Sequence, residues 1–163
     1  MPATASELER RIDESVALCA AADRLPASQR LDVLARGLDL ADAAIALDER
    51  SADAHFAVVC NLGKATGLTG VGFGALRAVS RLRREIDLTL ALAPDHAEAM
   101  AAKGALLARL PRWLGGDRRE AEVWLRRALT ADPRNTTARS YLAEIEVPTA
   151  PFVAPAADEP LAP

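Results

Sequence analysis

Apolar residues recur at helical spacing along most of the chain. Leu8, Ile12, Val16 and Cys19 or Ala20 fall on one face of a first helix, and Ser6 with Glu9 three residues on reads as its capping box. Pro26 and Ser28 punctuate this helix, and a second runs through Leu31, Leu34, Leu38, Ala41, Ile45 and Leu47. A third starts near Ser51 to Asp53 and passes through Phe56, Val59 and Leu62 to about Thr66. The glycine-spaced run "GLTGVGFG" is expected to be a flexible connection to a fourth helix carrying Leu76, Val79, Leu82, Ile86 and Leu90. Pro94 breaks the fourth helix, Asp95 can cap the fifth, and the fifth extends from about His96 to Arg109. Ala121, Val123 or Trp124, Leu125, Ala128 and Leu129 mark a sixth that ends at Pro133, and "NTTARSYLAEIEV" is a seventh. The fold class expected is therefore all-α.

Between the fifth and sixth helices lies "LPRWLGGDRREAEVWLRRAL". Pro111 discourages further helix, Gly115 or Gly116 supplies a positive φ cheaply, and Asp117 can accept from the amides of Arg119 or Glu120. An anion nest is the rival reading, but the Asp117 carboxylate would occupy the amides an anion needs. Trp113 either folds back as a lid on the core, the expected arrangement, or presents itself to a partner.

The helices repeat in pairs. "REIDLTLALAPDHAEAMAAKGALL" and "VWLRRALTADPRNTTARSYLAEI" share an apolar helix end, a Leu-x-Ala approach to proline and a fresh helix, with Pro94 and Pro133 spaced 39 residues apart. An earlier counterpart puts Glu49 in the proline position, 45 residues before Pro94. Two helices per unit at such a period signal a helical solenoid.

These residues resemble the tetratricopeptide repeat (TPR) family, whose pattern has a Leu-Gly or Leu-Ala pair in the first helix, small and large apolar residues in the second, and a closing proline. Leu62-Gly63, Leu82, Ile86, Thr89 and Pro94 fill that pattern once, Gly104, Ala121, Leu125, Ala128 and Pro133 fill it again, and Leu142-Ala143 supplies the pair in the last helix. Thr89 and Glu49 depart from the consensus, and the aromatic near the start of the first helix is missing. The turn "P-x-x-L-G-G-D" looks like that of a divergent branch containing TatT-like components associated with TRAP transporters and regulator-of-microtubule-dynamics proteins. The resemblance covers roughly residues 40 to 146.

The family implies a right-handed superhelix of about seven helices over residues 1–147 that binds a protein or peptide in its concave groove. On the first helices, which line that groove in the family, fall Ala57, Cys60, Asn61 and Lys64, then Glu98, Ala101, Ala102 and Ala105, with Trp113 at one end. The Lys/Asn/Arg set that clamps a peptide carboxylate in chaperone-docking repeats is not reproduced. A small-ligand binder of the TatT-like type is the alternative, favoured if Asn61, Lys64 and an Arg from 77 to 84 converge in a closed pocket; a self-assembling adaptor, hence a homo-oligomer, is a third.

Composition adds exclusions. A net charge of −3 over 163 residues gives no basic face for nucleic acid, although the balance runs from −4 up to Leu76 to +3 between Arg77 and Val147. Arginine outnumbers lysine, which coding bias explains more simply than phosphate recognition. Leu68, Val71, Phe73 and Leu76 beside Arg77, Arg81, Arg83 and Arg84 offer at most a surface for membrane contact, which is not expected. The glycines of that run lack nucleotide-loop order, and no cofactor is implied. Cys19 and Cys60 lie far apart without CxxC spacing and read as small buried hydrophobes with no disulfide. His55 and His96 occupy equivalent repeat positions without further metal ligands, and no nucleophile or carboxylate pair marks an enzyme. The N-terminus lacks a signal pattern, so a cytoplasmic location is expected. The Pro/Ala-rich segment 148–163 reads as a disordered tail.

Overall fold

The computed structural model describes residues 2–69 and 73–146, and the side chains among them except those of residues 2–4, 73 and 75. The expected tail, 148–163, and the centre of the glycine run lie outside the described residues.

Within them there are seven α-helices and no strand. They are α1 (Pro2–Ala22), α2 (Ala27–Ile45), α3 (Ala52–Thr69), α4 (Phe73–Leu92), α5 (Ala97–Arg109), α6 (Arg118–Ala131) and α7 (Thr136–Glu146), with a 3-10 turn at Arg112–Leu114. Successive helices pair α1 with α2, α3 with α4 and α5 with α6, while α7 covers the last pair. Across pairs, α1 meets α3, α3 meets α5 and α5 meets α7, whereas the backbones of α2, α4 and α6 stay apart and Arg81 of α4 reaches Asp42 of α2 through an ion pair. Thus α1, α3, α5 and α7 form the inner layer of a helical-repeat solenoid.

Small residues let the layers approach. In α2 the buried positions Leu34, Gly37, Ala41 and Ala44 recur at intervals of three and four, and Ala41 packs with Ala57 and Val58 of α3. A second cluster joins Val59 to Leu82 and Ile86 of α4. A third unites Met100 and Ala101, Leu125 and Ala128, and Ala138 and Leu142. Gly104 sits where α5 crosses α6 so closely that a Cβ would stand 2.6 Å from the Leu125 Cγ.

Polar groups are also buried here and most find hydrogen-bond partners, although Asn61 Oδ1 and Arg81 Nε have none among the described residues. The Ser15 hydroxyl donates to the Gly37 carbonyl (2.7 Å), and the Asn61 amide donates to the Ser15 hydroxyl (2.9 Å) and the Ala57 carbonyl (2.9 Å). This network ties α1, α2 and α3 together, and a Cβ on Gly37 would fall 2.1 Å from the Asn61 Oδ1. His55 is held from both sides, with Glu85 Oε2 at 2.7 Å from Nδ1 and the Glu49 carbonyl at 3.0 Å from Nε2.

Several local expectations change. Helix α1 already starts at Pro2, so Ser6 lies inside it and does not cap it. The cap of α5 is His96, which accepts from the Ala99 amide, and not Asp95. Residues 67–69 and 73–74 of the glycine run are helical rather than a flexible connection, and 70–72 lie outside the described residues. Cys19 and Cys60 are not separate hydrophobes but form a disulfide between α1 and α3. Their separation of 41 residues hides the pairing, which arises because adjacent inner helices pack side by side.

Candidate binding groove

The turn at one end of the groove illustrates how the sequence shapes it. Helix α5 stops at Arg109, Pro111 starts the 3-10 turn, and Gly115 takes φ 79°, the left-handed region. At Gly116 a Cβ would stand 1.7 Å from the Leu110 carbonyl oxygen, so backbone meets backbone there. Asp117 then accepts from the amides of Arg119 (2.8 Å) and Glu120 (3.1 Å), as expected for a cap. Those two amide bonds hold its carboxyl below the usual range. Arg83 of α4 donates to the Leu114 carbonyl and braces the turn from outside.

The inner face is an open trough of about 1030 Å³. Its floor and walls are mostly small or apolar: Val59 and Cys60 of α3, Leu82 and Ile86 of α4, and Ala101, Ala102, Ala105 and Leu106 of α5. Ala22 and Asp23 at the end of α1, with Arg30 and Leu34 of α2, close one end; Pro111, Trp113, Asn135 and Tyr141 close the other. Polar groups on this surface are largely engaged. Lys64 donates to the Cys19 carbonyl (2.8 Å) and to Asp23 (2.6 Å). Arg30 donates to the Leu25 carbonyl at 2.9 Å. The Arg109 guanidinium lies 5.3 Å from the centre of the Tyr141 ring. Burial pushes the Tyr141 hydroxyl up, against the opposing pull of Arg109.

Of the residues expected on this face, Cys60, Lys64, Glu98, Ala101, Ala105 and Trp113 line the trough. Ala57 and Asn61 do not. Ala57 is enclosed against Ala41, and Asn61 points into the α1–α2–α3 network, because the side of α3 that meets α2 is rotated away from the trough. Trp113 is corrected too: it is 79% exposed on the rim and forms no lid. Trp124 packs beside the Met100–Leu125 cluster on the outer side, between Lys103 and Arg127. His55 and His96 are equivalent in sequence but not in use, since one pairs with Glu85 and the other stacks on Phe56, 4.5 Å between ring centres.

Sequence reasoning missed the contributions of α2 and α7. Tyr141, a lone tyrosine in a chain with 4% aromatics, was the available signal for α7. Arg30 and Leu34 gave none, because an outer helix is not expected to reach the inner face.

Among the described residues no helix is long and apolar enough to cross a membrane, and no group of three or more His, Cys, Asp or Glu side chains is placed to hold a metal ion. No protein-family model matches the chain, and no curated protein does. Solved structures do. The chain is similar to the TPR domain of Arabidopsis OM64, with a TM-score of 0.55 at 14% identity, over 83% of this chain and 96% of that one. It is also similar to the first TPR of Spaghetti (RPAP3) bound to the HSP90 peptide SRMEEVD, with a TM-score of 0.52 at 16% identity, over 82% of this chain and 90% of that one. Taken with the paired helices and their inner layer, these likenesses establish an all-α, TPR-like helical-repeat fold.

Proposed function

We propose that the chain is a non-catalytic scaffold that binds a peptide or a short helix along its trough. The observation that carries this reading is the trough itself, walled by alanine and leucine and rimmed by an exposed tryptophan. The Spaghetti neighbour was solved with an HSP90 peptide that carries three acids, SRMEEVD. Here Lys64 is paired with Asp23, Arg109 lies over Tyr141 and Arg30 is bonded to a carbonyl, so the ligand we propose is apolar rather than acidic. The small-ligand alternative loses its defining feature, because Asn61 is buried elsewhere and no Arg from 77 to 84 lines the trough.

Selection of a displayed library of random 12-residue peptides on the full chain tests this. Enrichment of sequences with apolar anchors and no acidic end is expected. Ala105→Arg, which fills the trough from a half-buried position, should weaken the selected peptide at least tenfold, about 1.4 kcal/mol, with unchanged circular dichroism. Equal binding by wild type and this variant would sink the groove reading.

A further inference from the structure

Helix α1 is joined to the inner layer differently from α3, α5 and α7. None of the three apolar clusters includes a residue of α1 among the described residues. It is the end helix of the array and meets only α2 and α3. Besides side-by-side packing, its specific ties to α3 are the Cys19–Cys60 disulfide, the Asn61–Ser15 bonds and the bonds from Lys64 to Cys19 and Asp23. Asp23 is mostly exposed, and an ion pair of that kind contributes little by itself. Packing along α2 holds the body of α1, and the disulfide is its covalent fastening to α3.

Its position matters as much as its strength. Cys60 is half-buried and lines the trough, Cys19 is fully enclosed, and Ala22 and Asp23 just beyond it form the trough's end wall. We propose that the Cys19–Cys60 disulfide is a redox latch that holds α1 against the trough and is opened by a dithiol reductant entering from it. One thiolate of the reductant attacks the Cys60 Sγ, and Cys19 departs as a thiolate and takes up a proton. The second thiol then closes the reductant's own disulfide and releases Cys60 as a thiol. One disulfide is consumed and one is formed, so electrons and protons balance. With the latch open, the last turns of α1 lift from α3, the end wall is lost and Lys64 loses both partners.

This rests on the trough being the binding site, and the test keeps the two ideas apart. Hydrogen exchange of the full chain is followed with and without dithiothreitol, alongside the affinity of the selected 12-residue peptide. Reduction should raise exchange in residues 16–23 at least tenfold, leave α6 and α7 unchanged and weaken the peptide about fivefold. Reoxidation should restore both. The Cys19→Ser/Cys60→Ser variant should behave as the reduced chain and ignore dithiothreitol; if it does not fold, the reversible reduction of wild type decides alone. Unchanged exchange in α1, or equal loosening of every helix, overturns the latch. Loosened α1 with undiminished peptide affinity overturns its control of the trough. If no peptide is captured in either state while α1 still loosens, the groove reading falls and the latch on α1 stands.

Discussion

Glu85 is 4% exposed and sits between His55 and Arg84. Burial pushes its carboxyl up, but the bonds from His55 and Arg84 outweigh that and leave it below its ordinary value of 4.5. A carboxyl whose folded value is depressed contributes stability that is present above the unfolded value and is lost as pH falls through the folded one. The melting temperature should therefore fall from pH 4.5 downward. Glu85→Gln should make that acid limb shallower and cost about 3 kcal/mol at pH 7, since His55 is left facing a neutral group in a buried site. Trp113 makes the opposite demand. Because it is exposed, Trp113→Ala should leave the melting temperature within about a degree or two while weakening the selected peptide by about 2 kcal/mol. A large loss of stability instead would return Trp113 to the role of a lid.

At the scale of elements, the turn between α5 and α6 joins two independent requirements in adjacent glycines. Gly115 needs a positive φ and Gly116 needs the space a Cβ would take from the Leu110 carbonyl. Gly116→Ala should cost about 3 kcal/mol in urea unfolding, more than an exposed loop substitution does. That turn was legible from the sequence because proline, glycine and aspartate act locally. So were the helices, whose apolar spacing reflects one buried face each. The start of α1 and the cap of α5 were less so, since α1 runs back past Ser6 to Pro2 and His96 caps α5 in place of Asp95, a stronger capping residue by type. Rotation about a helix axis was the harder quantity. A turn of about 100° per residue separates Cys60 in the trough from Asn61 in the network, and only the placement of α1 and α2 decides between them.

For the whole molecule, the least legible feature was the pairing of Cys19 with Cys60. Each lies in an apolar run, and only the lateral packing of two inner helices brings them together. Closing a loop over 41 residues restricts the unfolded chain, and reduction should lower the free energy of unfolding by about 4 kcal/mol in urea titrations with and without dithiothreitol. The bond also bears on where the protein works, since disulfides persist in oxidising surroundings. A cytoplasmic location would require the reducing poise there to be the signal that opens it.

The outer helices α2, α4 and α6 do not pack backbone against backbone, and a half-exposed ion pair, Arg81 with Asp42, links α4 to α2. Lateral packing of the array runs through the inner layer and the seams that join one pair to the next, so the molecule has the mechanics of a hinged strip rather than a plate. Bending such a strip parts no packed outer helices and strains only the exposed Arg81–Asp42 ion pair, which contributes little by itself. The width of the trough can therefore follow the girth of what it holds.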